Sequence, residues 1–349
     1  MAKGVVYSLL ATALIVLMVY SPSKQRRHNL HGLNRRLGYT GHVPIFDPLV
    51  AMMKTYAEEK GLGDQNHPID LEHDSVIANE VEEAHEYLSE EGKLNITLRL
   101  VSLFPLLDHA PKDGFITYNE LKHWITAQAK ERMDYRTRKE LAAHDKNGDG
   151  AISFKEYLPQ FSIEDIERNE MEHGEAGWWK QQFDNADADK NAFLTFHEFR
   201  DFLHREDSTN DQIHKWLLTE KMKRVDYDND GKLNFVEFSK NAYDVFKNYI
   251  EFETGGANVP TAEEKFAELD VNKDKLLEAE ELRPILHYLY PGELTYATYF
   301  TSYLIYESDD NKDGKLTLQE MLNHEDIFYN TVYENSDDDY DDDDGHDEF

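Results

Sequence analysis

A twelve-residue pattern of acidic residues recurs along this chain and constrains its fold more than any other feature. The clearest copy runs from Asp145 to Glu156, with Asp or Asn at positions 1, 3 and 5, Gly at position 6 and Glu at position 12. This spacing turns side-chain oxygens toward the inside of a tightly curled loop, and glycine allows the left-handed turn that a side chain resists. The pattern therefore predicts a loop that surrounds a cation.

Such a loop is the calcium loop of an EF-hand, which joins two helices. Position 7 binds through its backbone carbonyl, position 9 acts directly or through water, and the Glu at position 12 contributes both carboxylate oxygens. We number the six copies in chain order as loops 1 to 6. The predicted ligands of loop 2 are Asp145, Asn147, Asp149, Ala151, Ser153 and Glu156.

Loops 4 and 6 fit the pattern equally well. Their predicted ligands are Asp226, Asp228, Asp230, Lys232, Asn234 and Glu237 in loop 4, and Asp309, Asn311, Asp313, Lys315, Thr317 and Glu320 in loop 6.

Loops 3 and 5 keep the ligand residues but have Ala192 and Lys275 in place of the glycine. Their predicted ligands are Asp187, Asp189, Asn191, Phe193, Thr195 and Glu198 in loop 3, and Asp270, Asn272, Asp274, Leu276, Glu278 and Glu281 in loop 5. A residue with a Cβ costs about 1–2 kcal/mol in the left-handed conformation. We therefore expect loops 3 and 5 to bind calcium less tightly than loops 2, 4 and 6.

Loop 1 is irregular. Gly114 and Glu120 fit positions 6 and 12 and would put His109 at position 1. The entering helix favours Asp108 instead, because every regular loop has an apolar residue four places before position 1, and Phe104 has that spacing only from Asp108. One inserted residue reconciles the two readings. The doubtful ligands of this 13-residue loop are Asp108, Asp113 and Glu120, and we expect weak calcium binding or none.

Two apolar columns accompany the loops: position 8 is Ile or Leu in every copy, and the residue after each closing Glu is apolar. Clusters of Asp, Asn and Gly also form ordinary turns, but turns alone do not produce such columns. The columns predict an all-α fold of six EF-hand helix-loop-helix units in three pairs, since one unit alone cannot bury its apolar face. Pairing in chain order would place the pairs at residues 94–165, 175–252 and 260–330.

The segments outside the loops include predicted targeting signals at both ends of the chain. Residues 1–21 contain an apolar run, 5–20, that indicates either a cleaved signal peptide or an uncleaved signal-anchor in the membrane. Residues 22–93 turn from basic to acidic and predict a flexible arm with a helix leading into loop 1, and the acidic residues 331–345 predict a disordered tail. The last four residues, His346, Asp347, Glu348 and Phe349, resemble a retrieval signal of the endoplasmic reticulum. With a glycosylation sequon at Asn95, they predict residence in the lumen of the early secretory pathway.

Composition excludes several classes of function. The chain has 349 residues with a formal net charge of −33, which excludes binding to a nucleic-acid backbone as its main activity. It has no cysteine and therefore no thiolate site. His197 and His204 stand seven residues apart, whereas a zinc-protease helix needs histidines at i and i+4. With no other catalytic motif in the sequence, we predict that the protein is not an enzyme.

On these motifs the chain resembles the calumenin and reticulocalbin family. The resemblance covers about residues 70–349. It includes the six loops in the same order, the sequence segment from Lys112 to Trp124 and the last four residues. It implies low-affinity calcium binding in the endoplasmic reticulum and Golgi lumen, with calcium-dependent contacts to client or resident proteins. The C-terminal residues separately predict a retrieval receptor as a partner. The enlarged loop 1 and the two replaced glycines depart from a simple copy of the family pattern.

Two functional classes remain open at this stage. One is a calcium buffer and scaffold that folds or compacts on binding calcium. The other is a calcium-switched sensor or adaptor, either free in the lumen or anchored in the membrane, that exposes an apolar groove to a specific partner. The aromatic residues Trp178, Trp179 and Trp216 are expected in the core rather than in such a groove.

Overall fold

The computed structural model describes residues 30–41, 43–59, 87, 94–161 and 175–333, and every structural statement below concerns these residues. The predicted signal segment at 5–20, the acidic tail and the retrieval signal at 346–349 lie outside them. Within the described ranges, no helix has both the length and the apolar character that a membrane span requires.

The described chain is mostly helical and its strands are only two residues long, so the predicted all-α class is confirmed. The α-helices are α1 (Leu30–Leu37), α2 (Pro48–Glu59), α3 (Ile96–Leu107), α4 (Tyr118–His144), α5 (Phe154–Tyr157), α6 (Glu175–Ala186), α7 (Phe196–Leu203), α8 (Asp211–Val225), α9 (Phe235–Glu237), α10 (Tyr243–Thr254), α11 (Ala262–Leu269), α12 (Leu286–Leu289), α13 (Glu293–Ser308), α14 (Leu318–Asn323) and α15 (Glu325–Tyr333). A π-helical turn, Phe238–Ala242, joins α9 to α10, and short 3-10 turns cover Arg205–Asp207 and Arg283–Ile285. The strands are β1 (Ile116–Thr117), β2 (Ile152–Ser153), β3 (Phe193–Leu194) and β4 (Lys315–Leu316).

Residues of the loops themselves start the exiting helices. Ser153, Asn234 and Thr317, each at position 9 of its loop, are the N-caps of α5, α9 and α14. In each case the Glu at position 12 completes a capping box with that residue. Because a capping box satisfies backbone donors at the first helical turn, the spacing that forms the calcium loop also begins the helix after it.

The loops pair through position 8, but not in chain order. Loop 1 pairs with loop 6 through Ile116 and Leu316, and loop 2 with loop 3 through Ile152 and Leu194. Loop 4 pairs with loop 5 through a single antiparallel bridge between Leu233 and Leu277. The prediction of sequential pairs at 94–165, 175–252 and 260–330 is therefore wrong.

The helix between the first two loops explains the different pairing. α4 is one continuous helix of 27 residues, so the chain from loop 1 to loop 2 has no break at which it could turn back. Two neighbouring loops can share a strand pair only if the segment between them reverses direction. Position 8 is aliphatic in every loop, and that column therefore could not reveal which loops pair.

The described chain divides into two units by its internal contacts. One unit contains loops 1 and 6 within residues 43–128 and 297–333, and the other contains loops 2 to 5 within residues 129–296 together with residues 33–41. In the second unit, one buried cluster surrounds loops 2 and 3 and another surrounds loops 4 and 5, while Leu286 and Tyr290 pack against both. Trp216 is buried in the first of these clusters, and Trp178 and Trp179 pack against it, as predicted.

Part of the N-terminal arm packs into the unit of loops 1 and 6. Phe46 is fully buried and its ring contacts those of Trp124, Phe328 and Tyr329. The neighbouring Asp47 is also buried and accepts hydrogen bonds from Nη2 and Nε of Arg99 at 2.7 and 3.0 Å and from the Tyr329 hydroxyl at 2.8 Å. The prediction of a flexible arm over 22–93 is therefore wrong for this stretch, because apolar burial and an ion pair hold it in place.

Candidate calcium sites

Each regular loop is closed by a hydrogen bond across its first half. The carboxylate of the Asp at position 1 accepts from the backbone N–H of position 6 at 2.7 to 3.0 Å. These pairs are Asp145 with Gly150, Asp187 with Ala192, Asp226 with Gly231, Asp270 with Lys275, and Asp309 with Gly314. The five loops therefore share one register, which is the register that the sequence pattern predicts.

Position 6 adopts the left-handed conformation whatever its residue type. The glycines Gly150, Gly231 and Gly314 have φ of +82°, +81° and +80°. Ala192 and Lys275 both have φ of +68° at the same place. The backbone thus follows one path in all five loops, and the two residues with a Cβ carry the strain that the sequence analysis predicts.

The Glu at position 12 is held from two sides. One of its oxygens accepts from the backbone N–H of position 9 at 2.9 to 3.0 Å in every regular loop. In loops 3, 4 and 5 the other oxygen accepts from the backbone N–H of position 2, at 3.0, 2.8 and 3.0 Å. These donors turn the carboxylate toward the loop interior, where a closing ligand must lie.

Loop 1 has the same architecture with one residue more. Asp108 accepts from the N–H of Gly114, six residues on, at 2.9 Å, whereas the regular loops span five. The N–H of Asp108 donates to Phe104 at 2.9 Å, and the first residue of every other loop makes the corresponding bond to its entering helix at 2.8 to 3.0 Å. Asp108 therefore occupies position 1 of a 13-residue loop.

Loop 1 has fewer side-chain oxygens that could bind calcium than the regular loops have. The N–H of Asp113 donates to the backbone carbonyl of Pro111, whereas the regular loops use a side-chain oxygen at position 3 for this bond. Burial raises the pKa of Glu120, but hydrogen bonds from Thr117, His109 and Ala110 outweigh it and lower the pKa. Glu120 accepts the same kind of hydrogen bonds as the closing Glu of the regular loops, so the weak binding predicted for loop 1 rests on its missing side-chain oxygen at position 3.

The side chains of the regular loops offer oxygen ligands of the kinds that calcium prefers. In loop 4 one oxygen each of Asp226, Asp228 and Glu237 lies within 4.8 Å of the others, and Asp187, Asp189 and Glu198 in loop 3 do the same. Partial desolvation and the adjacent charge of Asp230 raise the pKa of Asp228, which a bound cation would reverse. Loops 2, 5 and 6 have Asn at position 3, a neutral oxygen ligand. Sites built only from oxygen ligands, namely carboxylate, amide, hydroxyl and backbone carbonyl oxygens, suit a hard cation such as Ca²⁺.

One charged contact at these loops was not predicted. Lys232, expected to offer only its carbonyl at position 7 of loop 4, places its ammonium 3.1 Å from Asp274 and 2.9 Å from Glu278 of loop 5. Hydrogen bonds to Glu278 and Asp274 raise the pKa of Lys232, so the side chain stays charged. No sequence pattern could show this contact, since it depends on which loops pair.

The predicted glycosylation site is exposed at the start of α3. Asn95 is the N-cap of that helix, and its side-chain oxygen accepts from the N–H of Leu98 at 2.9 Å. Modification of Asn95 stays a prediction.

Comparison with known proteins gives two family matches. The family described as "Secreted protein acidic and rich in cysteine Ca binding region" matches residues 254–323, which contain loops 5 and 6. The family described as "EF hand" matches residues 139–158, around loop 2. Both support calcium as the bound ion.

Curated relatives match most of the chain. Reticulocalbin-2 of Mus musculus is 27% identical over 286 residues, covering 78% of this chain and 85% of that protein. Reticulocalbin-2 of Rattus norvegicus is 26% identical over 293 residues with the same coverage. Reticulocalbin-2 of Crotalus adamanteus is 26% identical over 230 residues, covering 63% of this chain and 72% of that protein.

These are families of calcium-binding proteins and not of enzymes. The matched reticulocalbins, the matched calcium-binding families and the shared loop geometry together support the resemblance of the chain to the calumenin and reticulocalbin family of multi-EF-hand proteins.

Proposed function

We propose that the chain is a low-affinity calcium-binding protein of the endoplasmic-reticulum lumen that compacts on binding calcium and then contacts client or resident proteins. The observation that carries the proposal is the repetition of one closed loop geometry five times, with oxygen ligands converging in each. The predicted ligands of loops 2 to 6 are the residues that would hold the ions.

Coupling to folding follows from charge. With a formal net charge of −33 and several carboxylates in each loop, the calcium-free chain repels itself. Each ion neutralises one loop and closes it, so binding and compaction are linked. At ten times its dissociation constant, calcium stabilises the folded form by about 1.4 kcal/mol per independent site. Five sites would contribute about 7 kcal/mol, which is comparable to the stability of a domain.

The expected calcium affinity follows from the proposed location in a calcium store. Calcium sites of extracellular modules have dissociation constants of roughly 10⁻⁴–10⁻³ M. Sites of this strength would fill in a full calcium store and empty in a depleted one. The protein would then be compact and competent to contact partners only when the store is full.

The sensor alternative is less well supported. In the unit of loops 1 and 6, Phe46 packs against Trp124 of the helix that leaves loop 1 and against Phe328 and Tyr329, so part of the apolar surface of this unit is already covered from within the chain. The tryptophans also pack in the core. A dye that fluoresces on exposed apolar surface separates the two functions. A scaffold that folds on calcium loses dye signal when calcium is added, and a sensor that opens a groove gains it.

The proposed location rests on the two termini. The apolar run at 5–20 and the residues His346 to Phe349 together support lumenal residence with retrieval through the C-terminus. Deleting residues 346–349 should release the protein to the medium if residues 1–21 are cleaved, or send it forward along the pathway if they remain as an anchor. Unchanged residence after the deletion would rule out retrieval through these residues.

A further inference from the structure

The ammonium of Lys232 occupies part of the neighbouring calcium loop. Lys232 stands at position 7 of loop 4, one residue before the Leu233–Leu277 bridge that joins loops 4 and 5. Across that bridge its nitrogen lies 3.1 Å from Asp274 and 2.9 Å from Glu278. These carboxylates are positions 5 and 9 of loop 5, both predicted ligands.

Loop 5 has more negative charge than most of its neighbours. Its predicted ligands include the four carboxylates of Asp270, Asp274, Glu278 and Glu281, whereas loops 2, 3 and 6 have three each. The Lys232 ammonium therefore contacts half of the carboxylates that calcium would use in this loop.

We propose that Lys232 is a tethered counter-cation that competes with calcium for Asp274 and Glu278 and holds the affinity of loop 5 below the value that its four carboxylates would give. This inference rests on the proposed function, in that loop 5 must bind calcium. To enter, the ion must take both carboxylates away from the ammonium. The same residue would offer its carbonyl to an ion in loop 4, so it links the occupancies of the two loops.

The chain contains a matched control for this role. Lys315 also stands at position 7 of its loop, in the pair formed by loops 6 and 1. Its nitrogen lies over the ring of Phe115, 5.2 Å from the ring centre, rather than on ligand carboxylates of the paired loop. Removing either lysine changes the net charge equally, but only Lys232 contacts predicted ligands of its partner loop.

The test compares K232M with K315M in the full chain, using calcium titrations followed by calorimetry and by competition with a chelator. Methionine keeps the apolar stem and removes the charge. K232M should raise the affinity of one site by about 2- to 10-fold, the range expected for the loss of two partly exposed ion pairs. K315M removes the same charge and keeps the backbone carbonyl that loop 6 would use, so it measures the general effect of charge, and the gain in K232M should exceed any gain in K315M. K232R should retain the original affinity of loop 5.

Combining K232M with a second substitution shows which loop gains calcium affinity. In E281Q, which removes the closing charge of loop 5, K232M should no longer raise any affinity. An unchanged or weaker affinity in K232M, an equal gain in K315M, or a gain that persists in E281Q would overturn the inference. If E281Q alone leaves the number of bound ions unchanged, loop 5 does not bind calcium, and the proposed function of that loop fails along with the inference. Circular dichroism of each calcium-loaded variant checks that it folds.

Discussion

The strain at position 6 of loop 3 leads to a sharp prediction about Ala192. Its φ of +68° lies in the left-handed region, which costs a residue with a Cβ about 1–2 kcal/mol relative to its right-handed alternative. Replacing Ala192 by Gly removes that cost. The glycine also gains freedom in the unfolded chain, which offsets roughly 0.5–1 kcal/mol of the gain. A192G should therefore stabilise the folded loop by about 1 kcal/mol.

Because folding and calcium binding are coupled in the proposed mechanism, this gain in stability should also raise the calcium affinity of loop 3. A change of about 1 kcal/mol corresponds to roughly a 5-fold lower apparent dissociation constant for one site. Calcium titration by calorimetry measures the affinity, and urea denaturation at saturating calcium measures the stability.

The control for A192G lies in the same loop. Ala188, at position 2, is exposed and has no positive φ, so A188G adds chain freedom without relieving strain. It should lower stability by about 0.5–1 kcal/mol. A neutral or destabilising A192G, or an equal gain in A188G, would show that strain at position 6 does not limit the stability of loop 3.

Three further predictions concern other parts of the chain. E237Q removes the closing charge of loop 4 and should lower the number of bound ions by about one, measured by equilibrium dialysis, whereas an equal loss in E120Q would contradict the weak binding expected of loop 1. D47A leaves the buried guanidinium of Arg99 unpaired and should destabilise the protein by about 3–5 kcal/mol in urea denaturation; a loss below 1 kcal/mol would show that the contact is dispensable. Burial and the nearby charge of Arg136 lower the pKa of His204 to about 4. Because the pKa in the unfolded chain is about 6.5, the folded protein loses stability as the pH falls from 6.5 toward 4. H204Q should flatten the decline of the unfolding free energy between pH 6.5 and 4, and an unchanged slope would argue against the shift.

The loops were predictable because their structure is local. The bond from Asp226 to Gly231 and the capping of α9 by Asn234 and Glu237 join residues within a single twelve-residue segment. The aligned column that includes Phe104 also revealed the register of loop 1. Residue types at fixed spacing therefore contain nearly all the information that shapes one loop.

The pairing of the loops and the packing of the arm were not predictable in this way. Every loop has an aliphatic residue at position 8, so nothing in that column distinguishes one partner from another. Phe46 packs against Phe328, 282 positions later in the chain, within a segment whose charge pattern indicated a flexible arm. The contact of Lys232 with loop 5 depends on the pairing and was missed for the same reason.

The coupling of calcium binding to compaction is the central step of the proposed mechanism. One calcium titration from micromolar to millimolar, followed by far-UV circular dichroism and hydrodynamic radius on the same samples, tests it. If binding drives compaction, helicity rises and the hydrodynamic radius falls together, with a midpoint of roughly 10⁻⁴–10⁻³ M calcium. Helicity and radius that stay flat across this range would contradict it and would indicate a preformed scaffold with passive calcium sites.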